Sequence, residues 1–166
     1  MFKNWFKKEK EGQTAEIYAP ITGEIIPLEE VPDPVFSQKM MGDGIAIKPS
    51  EGNIYSPVNG KIAQIPETKH AIGLRTEDGI EILIHIGLET VTLNGKSFNV
   101  HVNTGDEVSV GQPLMDFDLE YIQNNAESDI TPIVITNEKE IDKAFKMTDE
   151  KEGKLGETII ITVSKR

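Results

Sequence analysis

The sequence predicts an all-β protein: an antiparallel β-sandwich or barrel built from duplicated hairpin motifs, with one or two short helices. Three observations carry this. Short apolar segments alternate with turn chemistry along the chain, in "ITGE", "MGDG", "PSEGN", "PVNG", "TEDG", "LNGK", "NTGD" and "SVGQ". A segment "EIYAPITGEI" beginning at Glu16 returns as "NIYSPVNGKI" beginning at Asn53. A third stretch, "NTGDEVSVGQPLMDFDL", again reads as a hairpin with glycine-bearing turns.

Taken in order, residues 1–15 read as a flexible basic and aromatic tail, and residues 16–166 as one domain. In "MFKNWFKKEK", Phe2, Trp5 and Phe6 fall at i, i+3 and i+4, with Lys3, Lys7, Lys8 and Lys10 between them. On a helix this sets an aromatic face beside a basic one, the pattern of an interfacial membrane segment. Weak membrane-surface contact through residues 1–10 and an inert tail both fit. Strands are expected at 17–18, 24–27, 45–47, 60–65, 71–75, 81–86, 108–110, 113–117, 133–136 and 158–163. Each copy of the repeat reads as a strand, a proline-opened turn whose glycine takes positive φ, and a return strand. A helix is expected at 138–147, capped by Asn137, with Glu140 at its third position and Ile141, Ala144 and Phe145 on one face. "DLEYIQNN" adds a shorter one.

Composition narrows the function classes. The chain has 166 residues and a net charge of −11; residues 1–10 hold four lysines and one glutamate, a net +3, so the remainder carries −14. An acidic body argues against nucleic acid, which needs Lys and Arg for phosphate; it would attract a protein partner with a basic face, and it serves solubility equally well. With no cysteine there is no disulfide, thiol nucleophile or thiolate metal site. No apolar run approaches the roughly 20 residues of a membrane span, and no signal-peptide core is present. The expected location is cytoplasmic, peripheral at the membrane if the tail binds it.

Two of the three histidines share a hairpin. His70 lies in "PETKHAIGLRTEDG" and His85 in "EILIHIGLETV". A turn at Asp78 and Gly79 would pair Ile72 with His85 and bring both imidazoles to one face, unless the register slips. Such a pair suits zinc binding, general acid–base work or acceptance of a phosphoryl group on an imidazole nitrogen. Zinc would need a third protein ligand, for which Asp33, Asp43 and Glu89 are guesses that no spacing singles out. Thr68 offers a hydroxyl two residues before His70. Gly87 permits close backbone approach, and its carbonyl could fix the His85 ring. A purely structural histidine stays open at this point. His101 reads as a solvent-facing strand residue.

The order "APITGEI", "VPDPVFSQKMMGDGIAIKP", "SPVNGKI", "TKHAIGL", "ILIHIGLETVTLNGKSF", "GDEVSVGQPLMDFDL", "TPIVITN", "GETIIITV" resembles the glucose-class enzyme IIA of the bacterial phosphoenolpyruvate-dependent sugar phosphotransferase system. The resemblance runs from about Glu16 to the C-terminus, and "HIGLETVTLNGKSF" is its most specific piece. It implies that His85 accepts the phosphoryl group on Nε2, that His70 contacts the group and aids onward transfer, and that Thr68 orients the pair. The implied partners are the histidine-containing phosphocarrier protein as donor and a cysteine of a permease IIB domain as acceptor. Leu83, Ile84, Ile86 and Leu88 are then expected to form an apolar docking rim, with Asp33, Asp43 and Glu89 around the site. Glu89 stands where some relatives have aspartate, and Pro66 and Leu83 where some have aromatics. A monomer without required cofactor is expected; zinc at His70 and His85 is conceivable and is not predicted.

Two other classes fit less well. A biotinyl or lipoyl carrier needs a modifiable lysine at a tight turn, and "DKA" at 142–144 falls inside the expected helix instead. A zinc hydrolase on a similar hairpin plan wants His-x-x-x-Asp and His-x-His, but Leu74 and Gly87 stand at the partner positions.

Overall fold

The structure, a computed structural model, describes residues 15–166. Their strands are β1 (Ala15–Tyr18), β2 (Gly23–Pro27), β3 (Asp43–Pro49), β4 (Asn53–Tyr55), β5 (Gly60–Gln64), β6 (Ala71–Thr76) and β7 (Glu81–His85). There follow β8 (Phe98–Val100), β9 (Glu107–Val108), β10 (Pro113–Phe117), β11 (Thr131–Ile135), β12 (Lys143–Met147), β13 (Glu152–Gly153) and β14 (Ile159–Lys165). Two short helices, α1 (Pro34–Ser37) and α2 (Leu119–Asn125), and 3-10 turns at Leu28–Glu30 and Thr90–Leu93 complete the set. Among the described residues no helix is long and apolar enough to cross a membrane. The expectations for residues 1–10 lie outside the described residues.

An eight-stranded sheet runs β13-β2-β3-β11-β7-β6-β5-β9, and two three-stranded sheets run β1-β14-β12 and β4-β10-β8. Every strand pairing is antiparallel. Alternation divides the large sheet's residues by face. Ile45, Ile47, Ile72, Leu74, Ile82, Ile84, Ile133 and Ile135 pack inward with Ile17, Ile54, Leu114 and Ile161 of the small sheets. On the outer face, Ala46, Leu83 and Val134 are covered by Leu28, Val31 and Phe36 from the segment between β2 and β3. The all-β sandwich expectation holds.

The duplication extends through the whole fold. The large sheet reads alike from both ends about its central pair, Ile84 opposite Ile133. Thus β2 matches β5, β3 matches β6, β11 matches β7, and the two small sheets match each other. The copies interlock: Tyr18 N–H donates to the Pro57 carbonyl at 3.0 Å, and Tyr55 N–H to that of Pro20 at 2.8 Å.

Four expectations are corrected, the first being the hairpin in "NTGDEVSVGQPLMDFDL", where β9 pairs with β5 and β10 with β4 and β8. The repeats are crossovers between sheets rather than hairpins, since β1 pairs with β14 and β2 with β3, while β4 pairs with β10 and β5 with β6. Their glycines, Gly23 and Gly60, do not take positive φ. A Cβ there would lie 2.1 Å from the Lys48 carbonyl oxygen or 2.4 Å from that of Arg75, so close strand approach selects glycine. The expected helix at 138–147 is absent. Asn137 spends its side chain on the Gly79 carbonyl and the Glu81 N–H, and so cannot cap a helix. Residues 143–147 join β14 as a third strand, with Phe145 opposite Val163 and Met147 opposite Ile161. Strand pairing with a buried partner outweighs the weak helical period.

Candidate functional site

The β6–β7 hairpin closes where the sequence places it, at 76–80. Thr76 N–H bonds the Ile80 carbonyl at 2.9 Å, and the Thr76 hydroxyl bonds Asp78 at 2.5 Å. Its register differs by one residue from the expected one: Ala71 lies opposite His85, and Ile72 opposite Ile84. His70 and His85 still meet, because the Ile86 N–H donates to the His70 carbonyl at 2.8 Å and ties the strand ends together. The rings stand edge to face, with centroids 5.0 Å apart at 82°.

Each ring is oriented through Nδ1. The Nδ1 of His85 lies 2.8 Å from the Gly87 carbonyl oxygen, and that of His70 lies 2.6 Å from the Thr68 hydroxyl. A carbonyl only accepts, so the neutral His85 ring carries its proton on Nδ1 and presents a lone pair on Nε2. The turn that makes this bond demands glycine: Gly87 has φ of +73°, and a Cβ would lie 2.7 Å from Thr90 Cγ2 and 2.8 Å from the Ser128 carbonyl oxygen. Lys69 and Glu89, each beside this constellation, also hold left-handed backbone, at +58° and +60°.

Burial pushes the His85 imidazole below its ordinary pKa, opposed in part by the Gly87 carbonyl and the carboxylates of Asp33 and Glu89. Burial also lowers His70, as does the neighbouring His85. Both shifts favour the neutral ring, the state a nucleophile needs.

Of the acidic residues singled out in the sequence, Asp33 and Glu89 act on His85 and Asp43 does not. Asp43 pairs with Lys39 at 3.5 Å, and its backbone N–H donates to Glu138 Oε1 at 2.9 Å. It lies level with Ile82, two strands across and three residues along from His85, or ~14 Å on standard strand spacings. The expected apolar rim is also corrected. Ile84, Ile86 and Leu88 are buried and Leu83 is half-buried, because strand alternation turns Ile84 into the core and the Gly87 turn folds Leu88 into the outer-face cluster with Leu28, Val31 and Phe36. Among the described residues the exposed large hydrophobics are Val35, Met40, Met41 and Val91. Val35 neighbours Phe36 on α1, and Val91 follows Glu89 by two residues.

Sequence reasoning missed Phe36, whose ring lies 5.0 Å from that of His85 at a 57° tilt. It reaches there on α1, which Asp33 caps by accepting from the Val35 N–H at 2.9 Å, with Pro34 at the first helical position. The signal was present, since Asp-Pro before an apolar pair is a helix start. His101 is solvent-facing as expected and bonds Asp116 at 2.7 Å. Among the described residues no group of three or more His, Asp or Glu side chains is arranged to hold a metal ion.

Comparison with known proteins follows the same lines. A family model described as phosphoenolpyruvate-dependent sugar phosphotransferase system, EIIA 1, matches residues 15–141. A PTS system glucose-specific EIIA component of Staphylococcus epidermidis is 50% identical over 165 residues, covering 99% of both chains. Its namesake in Staphylococcus aureus (strain COL) is 52% identical over the same length and coverage. The structure of glucose permease IIA from Mycoplasma capricolum superposes with a TM-score of 0.83 at 39% identity, covering 89% of this chain and 94% of that one.

Proposed function

This chain belongs to the EIIA 1 family of the phosphoenolpyruvate-dependent sugar phosphotransferase system, and on that premise we propose that it is a glucose-class phosphocarrier whose acceptor is His85 Nε2. The observation that carries the reading is the 2.8 Å bond from His85 Nδ1 to the Gly87 carbonyl. It pins the proton on one nitrogen and leaves the other nucleophilic. The donor is the histidine-containing phosphocarrier protein, phosphorylated on an imidazole.

In the transfer, the Nε2–P bond of His85 forms as the donor's N–P bond breaks, and the donor ring keeps the electron pair. The proton on His85 Nδ1 stays in place. The ring, now positive at Nδ1–H, is held by the Gly87 carbonyl and offset by the carboxylates of Asp33 and Glu89. His70, with Thr68 donating to its Nδ1, turns Nε2–H toward a phosphoryl oxygen and loads its share of the developing charge. A IIB cysteine thiolate then attacks phosphorus, and the N–P bond electrons return to His85. No metal or cofactor is needed for either step.

Both partners would dock on Val35, Met40, Met41 and Val91, with Asp33 and Glu89 available to a basic face. The carrier unit is residues 16–166, working as a monomer in the cytoplasm. The basic and aromatic residues 1–10 would give it weak contact with the membrane surface beside its permease.

The test is incubation with phosphoenolpyruvate, enzyme I and the phosphocarrier protein, read by intact mass. Wild type should gain one acid-labile phosphoryl group and His85→Ala none. His70→Ala should accept the group and fail to pass it to a IIB domain. A wild type left unlabelled while the same components charge a known acceptor would refute the reading.

A further inference from the structure

The bond that orients His85 is itself held from behind. The Gly87 carbonyl and the Leu88 N–H belong to one peptide unit, which is planar and trans, so the two groups point in opposite directions. Leu88 N–H donates to the Ser128 carbonyl at 2.9 Å, an isolated bridge outside the named strands. Anchoring that end aims the Gly87 carbonyl at His85 Nδ1. The preceding peptide is fixed too, because the buried Thr90 hydroxyl donates to the Ile86 carbonyl at 2.6 Å.

Ser128 is held in turn by a buried carboxylate. The Asp129 side chain is only 3% exposed; its Oδ1 accepts from Lys48 Nζ on β3 at 2.9 Å and its Oδ2 from the Gln123 amide on α2 at 2.9 Å. The Thr131 hydroxyl donates to the Asp129 carbonyl at 3.0 Å, and the Ile130 N–H to the Ser128 hydroxyl at 3.1 Å. A buried carboxylate must keep its partners, so this loop has one favourable position. That position places the Ser128 carbonyl under the catalytic turn.

We infer that the loop 126–130, locked by Asp129 between Lys48 and Gln123, is a positioning element that keeps the His85 proton on Nδ1. The inference rests on His85 as phosphoryl acceptor. Free imidazole exchanges its proton between the two nitrogens, and the tautomer protonated on Nε2 has no lone pair to attack phosphorus. A loosened Ser128 carbonyl lets the Gly87–Leu88 peptide rotate and releases that choice. A merely structural loop would affect stability and leave the tautomer alone.

The measurement is nitrogen NMR of histidine-labelled wild type, Asp129→Ala and Asp129→Asn, beside the rate of phosphoryl acceptance at saturating donor. Wild type should show one His85 tautomer. Asp129→Ala should show a mixture and accept the group about 10-fold more slowly, with the donor KM unchanged, as expected for a lost orienting partner. Asp129→Asn keeps an acceptor for Lys48 and can reverse its bond with Gln123, so it should recover most of the rate. Lys48→Met serves if Asp129→Ala does not fold, and should also mix the tautomers. Folded variants with a single wild-type tautomer and rate would overturn the inference. An unlabelled wild type that still loses its single tautomer in Asp129→Ala would remove the phosphocarrier role and keep the positioning role.

Discussion

The two halves of this molecule share a strand frame and differ in what stands on it. Matching β6–β7 onto β3–β11 through the Ile84–Ile133 pair sets His85 on Val134, His70 on Asp43 and Gly87 on Thr136. Val134 is fully buried, packed with Leu28, Val31 and Phe36, whereas His85 is half-buried against the same Phe36. The frame therefore supplies two equivalent places, and side chains make one of them reactive. The covering segment comes from the half without histidines: residues 28–42 between β2 and β3 carry Asp33 and Phe36 across to His85. Between β5 and β6 the matching connection is only residues 65–70, and it carries Thr68. The site is thus assembled across the pseudo-symmetry rather than within one copy.

The comparison breaks most sharply at the matched pair itself. His85→Ala should abolish phosphoryl acceptance while Val134→Ala keeps it and costs about 2 kcal/mol of stability in urea titration, the value of a buried valine. Loss of acceptance in Val134→Ala at preserved fold would show that both places serve the chemistry. Next come the repeat glycines. Gly23→Ala and Gly60→Ala both force a Cβ onto a backbone carbonyl, at 2.1 Å and 2.4 Å, and each should lower stability by ~3 kcal/mol or more. A tolerated Gly60→Ala beside a damaging Gly23→Ala would mean that the halves are held by different contacts.

A smaller contrast separates Gly87 from Thr136. Gly87→Ala meets Thr90 and Ser128 at positive φ and should cost about 2 kcal/mol, while Thr136→Ala on an exposed site should stay within about 0.5 kcal/mol. Thermal melts of the two would decide. The finest test is pH. His70 and His85 titrate below the ordinary 6.5, so the unfolded chain binds more protons than the native one as pH falls through 6.5. Stability from this source is full above 6.5 and lost as pH drops through the native pKa values. Acceptance should likewise persist below pH 6.5. Asp33→Asn removes a charge that raises His85, so it should move the acid limb of the rate further down. An upward move would contradict the assigned electrostatics.

Much of this was legible in the sequence because local chemistry agreed with the fold. Alternating apolar runs marked most strands, the Glu-Asp-Gly turn marked the hairpin, and the residue types at 68, 70, 85 and 87 announced hydrogen bonds that the structure contains. Long-range pairing was not legible. Nothing near "EIYAPITGEI" says that β1 seeks β14, so the repeat reads as a hairpin. The stretch 138–147 keeps a helical period, and only the distant edge of β14 makes it a strand. The docking rim failed for a related reason. Apolar residues beside a functional histidine cannot be divided into core and surface until the turn at Gly87 fixes which way Leu88 goes.

One half of the pseudo-symmetric pair is nested inside the other. Residues 53–117 form a continuous copy, whereas its mate is split between residues 15–49 and 131–165. During synthesis the histidine-bearing copy leaves the ribosome whole, but β1 must wait for β14, because Ala15 pairs with Val163. At roughly 5–20 residues per second that wait is on the order of ten seconds. Through it Ile17 has no sheet to join, so the nascent chain needs shielding at its beginning rather than at its reactive centre.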